Sequence, residues 1–297
     1  MFLGETADRP TIAVRGQQVA DSKAFFAAYD AVLGQWPVKV EAVDIPTPYG
    51  RTRTYVSGPE GGIPLVLLPG GGSTSVSWFA NAEALAEHHR VYAVDLIGDL
   101  GHSRNDGQPL RSSEDLTAWL AALLDGLGLA GVRLCGHSYG AWTALHYALH
   151  DPKRVSRLAL LDPTGCFAGL RSGYVLRALP MLARPTARRM LAFHRWETGS
   201  LPAEPVWQEF LAATAYAPRP KAIRMRRPRP ESLQAFTVET LVLLAGRSKA
   251  HDARKVAVTA RELLPHATVT VLEQASHHSL PTEQPADVNR LLRHFLS

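Results

Sequence analysis

Cysteine is nearly absent, with two in 297 residues, Cys135 and Cys166. Two cysteines make no disulfide framework, so a reducing, cytoplasmic setting is the expectation. No apolar run approaches the roughly 20 residues that span a bilayer. The opening MFLGETADRP lacks the basic start and apolar core of a secretory leader. The glycine run Gly70-Gly71-Gly72 is followed by neither Lys-Ser/Thr nor a G-x-G-x-x-G spacing, which argues against a phosphate or dinucleotide loop. No cluster of His, Cys, Asp and Glu has metal-ligand spacing, so neither a metal nor a cofactor is expected. Internal repeats and low-complexity tracts are missing as well.

What is there is ordinary in bulk and uneven in detail. Apolar residues at 46% and charged residues at 20% suit a globular chain long enough for one α/β domain carrying an insertion. The net charge is +5, yet residues 164–235 hold twelve Lys/Arg against four Glu and no Asp. That segment is therefore +8 and the remainder −3. No nucleic-acid module accompanies the arginines, so no nucleic-acid partner is expected. A solvated basic face is preferred to an anionic-ligand surface.

The chain is organised around Val132 to His150, VRLCGHSYGAWTALHYALH. A short apolar run stops at Gly136-His137-Ser138-Tyr139-Gly140 and turns into a helical pattern with Ala141, Leu145, Ala148 and Leu149 on one face. This is the G-x-S-x-G nucleophile elbow, in which a strand-to-helix turn lifts a serine hydroxyl above the sheet edge. Ser138 at a helix N-terminus also stands where free N–H groups receive negative charge.

The remaining pattern alternates strands and helices. Residues 20–34 read as an amphipathic helix; 38–45, 51–57, 63–68 and 91–96 as strands; 113–127 as a helix with Ser113 as its cap. Residues 155–161, 238–245 and 268–272 read as further strands, with helices over 252–264 and 285–296. Such a rhythm implies a mostly parallel sheet covered on both sides. Residues 164–235 break it with short helices between prolines, which predicts a helical cap inserted into a core formed by 1–163 and 236–297. Its large residues (Tyr174, Phe193, Trp196, Trp207, Phe210, Tyr216) look exposed, although Trp196 and Trp207 suit a small core of the cap's own.

LVLLPGGG, VYAVDLIGDLGHS, CGHSYGAW, RLALLDP and HHSLPTEQPADVNRLLRHFL stand in the order found in the α/β-hydrolase superfamily, and the chain resembles its cap-bearing serine esterases. The resemblance implies an α/β-hydrolase fold, a carboxylic ester of a small molecule as substrate, and an acyl-enzyme route. The fold hosts many chemistries, so the site must decide.

Ser138 is the expected nucleophile, and its base should follow the last strand. His278-Ser279-Leu280-Pro281-Thr282-Glu283-Gln284-Pro285 fits the family pattern His-x-Leu-Pro-x-Glu-Gln-Pro, which favours His278 over the alternative base His277. The acid departs from the commoner arrangement, because Lys249 stands where a carboxylate is usual. Asp162, ending the strand after the nucleophile, is preferred, with Asp252 as the alternative acid. Gly71 of the small-residue loop, with Gly72 in reserve, and Tyr139, the residue after the nucleophile, are the expected oxyanion donors through their backbone N–H groups. His137, Tyr139 and Trp142 are possible pocket residues, while His102 and Cys135 are assigned to structure. Two further readings stay open: another serine-triad reaction (amide or C–C hydrolysis, acyl transfer), and a non-catalytic binder that kept the fold.

Overall fold

The computed structural model describes residues 11–218, 223–283 and 285–297, with side chains from residue 22 onward. The leader reading at residues 1–10, residues 219–222 of the expected cap and Gln284 lie outside the described residues.

Eight strands form one sheet: β1 (Glu41–Thr47), β2 (Gly50–Ser57), β3 (Ile63–Leu68), β4 (His89–Val94), β5 (Val132–His137), β6 (Val155–Leu161), β7 (Glu239–Ala245) and β8 (Ala267–Leu272). Their spatial order is β1-β2-β4-β3-β5-β6-β7-β8. β1, β2 and β4 pair antiparallel, and every pairing from β4 through β3 to β8 is parallel. The helices are α1 (Thr11–Leu33), α2 (Ala82–Ala86), α3 (Ser113–Gly126), α4 (Tyr139–His150), α5 (Ser172–Ala183), α6 (Ala187–Thr198), α7 (Pro205–Ala213), α8 (Pro230–Gln234), α9 (Ala253–Leu263) and α10 (Pro285–Leu296).

The central strands are apolar at consecutive positions because helices cover both faces. In β3, Val66 and Leu68 join the core that contains Trp119 of α3 and Trp142 of α4. Leu65 and Leu67 join the opposite core, with Phe25 and Tyr29 of α1 and Leu292 of α10. Edge strands β1 and β8 are exposed or half-buried along their length, as single-sided cover requires. Cys135 and Cys166 are both free and buried.

Helix starts follow local chemistry. α3 begins with a capping box in which Ser112, one residue before the expected cap, accepts the Asp115 N–H, and Asp115 reaches back to the Ser112 N–H. α1 starts well before residue 20 and is fixed to the sheet by a buried carboxylate at the end of β4. Asp95 accepts the Tyr29 hydroxyl (3.0 Å), the Ser75 hydroxyl (2.7 Å) and the His102 N–H (2.7 Å). The His102 ring packs on Phe26 at 4.4 Å, a structural role as expected.

Between β6 and β7 the chain carries the helical insertion α5–α7. It is seated on the rest by aromatic contacts: Trp207 meets Phe79 at 5.3 Å, and Phe210 meets Phe25 of α1 at 5.8 Å. Trp207, Phe210 and Phe193 are therefore buried rather than exposed. α8 packs on α9, with Leu233 inside the sheet's own core.

Candidate active site

Ser138 occupies the bend between β5 and α4 with φ 52° and ψ −113°. A side chain at Gly136 would place its Cβ 2.4 Å from the Gly140 carbonyl oxygen, and one at Gly140 would meet the Leu68 carbonyl at 2.3 Å. The two glycines are thus required by backbone crossing backbone. Asp162, directly after β6, has φ 40°. Among the described residues Ser138 and Asp162 are the two non-glycine positions with positive φ. Such conformations cost about 1–3 kcal/mol each and persist where the surroundings over-determine them.

Those surroundings bring three distant segments together. His277 Nε2 lies 2.9 Å from Ser138 Oγ, and His277 Nδ1 lies 2.6 Å from Asp162 Oδ2. The carboxylate is fully buried and saturated with donors. Oδ1 accepts the Ala245 N–H and His251 Nε2–H, each at 2.9 Å, and Oδ2 accepts the Ser248 hydroxyl at 2.9 Å besides His277. Burial alone would raise its pKa, but the hydrogen bonds and charges of His251 and His277 outweigh burial and hold it well below the carboxylate range. With Nδ1–H donated to Asp162, Nε2 of His277 is left to accept from the serine.

Burial disfavours charge on His277, yet the hydrogen bond and charge of Asp162, helped by Glu197, raise its pKa above the ordinary histidine value. His137, next to the serine, behaves oppositely. Its Nε2–H donates to the His277 carbonyl at 2.9 Å, and burial beside His277 and His278 pushes its pKa down to about 3, keeping it neutral.

The expected preference for His278 as base is corrected by this geometry. The His278 Nε2 meets the Tyr174 hydroxyl of α5 at 3.0 Å instead of the serine. Burial, then the neighbouring His277 and His194, drive its pKa well below normal. The loop after β8 turns so that the first histidine points down at the elbow and the second toward α5.

Asp252, the alternative acid, caps α9 by accepting the Lys255 N–H at 3.2 Å and pairs with Arg171 at 3.3 Å. It makes no contact with either histidine of the pair. The loop after β7, where a carboxylate is usual, here supplies donors to the carboxylate of β6 through Ser248 and His251. Gly72, the reserve oxyanion donor, gives its N–H to Asp99 at 3.1 Å and is thereby occupied. Gly71 and Tyr139 both line the cavity above Ser138.

That cavity encloses about 440 Å³ between the elbow, the glycine loop and the insertion. Its wall is mainly apolar, with Leu100, Leu170, Phe193, Phe210, Ile223 and Met225 prominent. Of the named pocket residues, His137 and Tyr139 line it, whereas Trp142 is buried and donates its indole N–H to the Arg226 carbonyl. Among the described residues no Lys or Arg lines it, and Asp99 is its one carboxylate. Burial pushes the Asp99 pKa up to about 6, despite the N–H groups of Gly72 and Leu100 that it accepts.

Glu197 of α6 gave no signal in the sequence. Its buried carboxylate accepts the backbone N–H groups of His277 (3.1 Å), His278 (3.0 Å) and Lys249 (3.3 Å). His194, one turn earlier, meets Glu283 at 3.1 Å. The insertion is thus bolted to the histidine loop.

Residues 65–291 match the Alpha/beta hydrolase family. The chain belongs to that family. It is 28% identical over 283 residues to carboxylesterase YbfK of Bacillus subtilis, covering 92% of this chain and 93% of the relative. The uncharacterized carboxylesterase nap of the same organism is 29% identical, over 91% and 92% of the two chains. The crystal structure of YbfK superposes with a TM-score of 0.87 at 27% identity, over 93% of this chain and 98% of that one. The structure of naproxen esterase from B. subtilis gives 0.86 at 25% identity, over 99% and 100%. The relatives place the chain in the carboxylesterase-like branch of the family.

Proposed function

We propose that the protein hydrolyses carboxylic esters of small, mainly apolar molecules, with Ser138 as nucleophile, His277 as general base and Asp162 as orienting acid. The observation that carries this reading is the Ser138–His277–Asp162 hydrogen-bonded chain beneath a 440 Å³ cavity. The carboxylesterase relatives support it.

His277 takes the Ser138 proton as Oγ attacks the ester carbonyl, and Asp162 stabilises the imidazolium that forms. The N–H groups of Gly71 and Tyr139 receive the oxyanion, Tyr139 as the first residue of α4, where the helix dipole adds to the donor. Collapse of the tetrahedral intermediate breaks the bond to the alcohol, which leaves with the proton held on His277. Water then enters, gives a proton to His277, attacks the acyl carbonyl and releases the acid with Ser138 regenerated. Within segment 164–235, helices α5–α7 act as a cap over the sheet and its covering helices, closing the cavity over the acyl or alcohol group.

The test is hydrolysis of p-nitrophenyl esters by the protein and its Ser138→Ala variant, with fluorophosphonate labelling alongside. Turnover lost in the variant and labelling confined to Ser138 are the expected results. Full activity in Ser138→Ala, or no labelling of the folded protein, overturns the reading.

A further inference from the structure

α5 is a helix with an apolar sequence whose inner side meets α6 and the cavity and whose outer face is bare. Of SGYVLRALPMLA, Ala178 alone is fully buried, while Val175, Leu176, Leu179 and Leu182 are 40%, 65%, 48% and 61% exposed. Leu170, just before the helix, joins them at 38%. These five make up most of the eight large apolar side chains that are exposed among the described residues. A contiguous apolar patch of this kind marks an interaction surface rather than scattered surface leucines.

The charge around it has one sign. From Leu170 to Arg195 the chain contains Arg171, Arg177, Arg184, Arg188, Arg189 and Arg195 and no Asp or Glu. All six arginines are exposed, and among the described residues Arg171 alone is ion-paired. The patch also continues into the cavity, because Leu170 and Leu182 line it, with Met181 and Pro185 beside them.

We propose that this face of the insertion docks on an anionic phospholipid surface, with the leucines of α5 entering the acyl boundary and the arginines meeting the headgroup phosphates. An apolar helix face rimmed by arginine has the chemistry of an interfacial helix. A second copy of this chain offers worse complementarity, since two faces of six arginines would be brought together. Docking here sets the cavity mouth against the lipid, so an ester dissolved in the bilayer enters without crossing water. The lipid contact stands apart from the esterase reading and is measured without turnover.

The experiment is co-sedimentation of the full-length protein with phosphatidylcholine vesicles, with and without phosphatidylglycerol at about a third of the lipid. The expected result is pelleting with the anionic vesicles and release by added salt. Binding should weaken tenfold or more in Leu176→Ser/Leu179→Ser and, separately, in Arg184→Gln/Arg188→Gln. These four side chains are exposed, so circular dichroism and the melting temperature stay at the parent values and report folding. Absence of pelleting, equal pelleting with neutral vesicles, or variants that bind as the parent does overturn the proposal. So does a homodimer in sedimentation equilibrium that Leu176→Ser/Leu179→Ser dissociates.

Discussion

The Glu197 carboxylate receives the backbone N–H of His277 at 3.1 Å, so an insertion helix grips His277 by its main chain while Asp162 grips its ring. Two buried negative charges therefore face the imidazole. Both favour its protonated form, which is the form that the proposed attack would develop.

The pH profile should register this. A base must be neutral to accept the serine proton, so kcat/KM rises with pH through the His277 pKa, which lies above the ordinary value near 6.5. Glu197→Gln removes one of the charges that raise it, and the acid limb should move to lower pH. Gln keeps one acceptor oxygen but turns an NH₂ toward at least one of the three N–H groups that Glu197 accepts, and kcat should fall about ten- to a hundredfold as His277 loosens. A fall in kcat with the limb unmoved would mean a purely structural role.

The two histidines of the loop should separate cleanly. His277→Ala should lower kcat/KM by about 10³–10⁴, the range for removing a triad base. His278→Ala removes the Tyr174 contact at the cavity wall, and its effect should be about tenfold or less and mainly on KM. Steady-state kinetics on one neutral ester decide it, and the reverse order would reinstate His278.

Asp162→Asn and Asp252→Asn form a second pair. Asn at position 162 would turn an amide NH₂ toward one of the donors His277, His251, Ser248 or Ala245, misorienting the imidazole, and turnover should fall about 10³–10⁴. Asn caps a helix as well as Asp does, so Asp252→Asn should leave activity within about twofold and thermal stability within about 0.5 kcal/mol.

Most of the fold was legible in the sequence because each buried strand is a continuous apolar run and the elbow is a backbone constraint written in two glycines. Ser138 and Asp162 came with the strands they end. The choice between His277 and His278 was not legible, because one residue of register in an irregular loop leaves no periodic trace. Glu197, Ser248 and His251 reach the site from 35 residues or more away from Ser138, Asp162 and His277 or along a loop without a motif, so only the folded chain brings them in. The exposed side of α5 was equally hidden: a short apolar helix reads the same whether its face is covered or bare.

The charge of the substrate is the last consequence. The sequence favours a solvated basic face for the insertion over an anionic-ligand surface, and among the described residues its arginines stay outside the cavity while Asp99 is the charge within. At pH 8, well above its pKa of about 6, Asp99 is ionised. A second carboxylate about 6 Å away in surroundings of effective dielectric about 20 is opposed by roughly 3 kcal/mol. Esters bearing a carboxylate on the acyl chain should therefore show kcat/KM about ten- to a hundredfold below neutral esters of equal length at that pH. Asn at position 99 still offers one oxygen to the Gly72 N–H, so Asp99→Asn should narrow the gap while keeping the glycine loop in place. Lowering the pH toward 6 in the parent should narrow it too, by protonating Asp99. A panel of paired neutral and acidic esters measured across pH 6–8 checks both, and a preference for the acidic member would put the arginines inside the site after all.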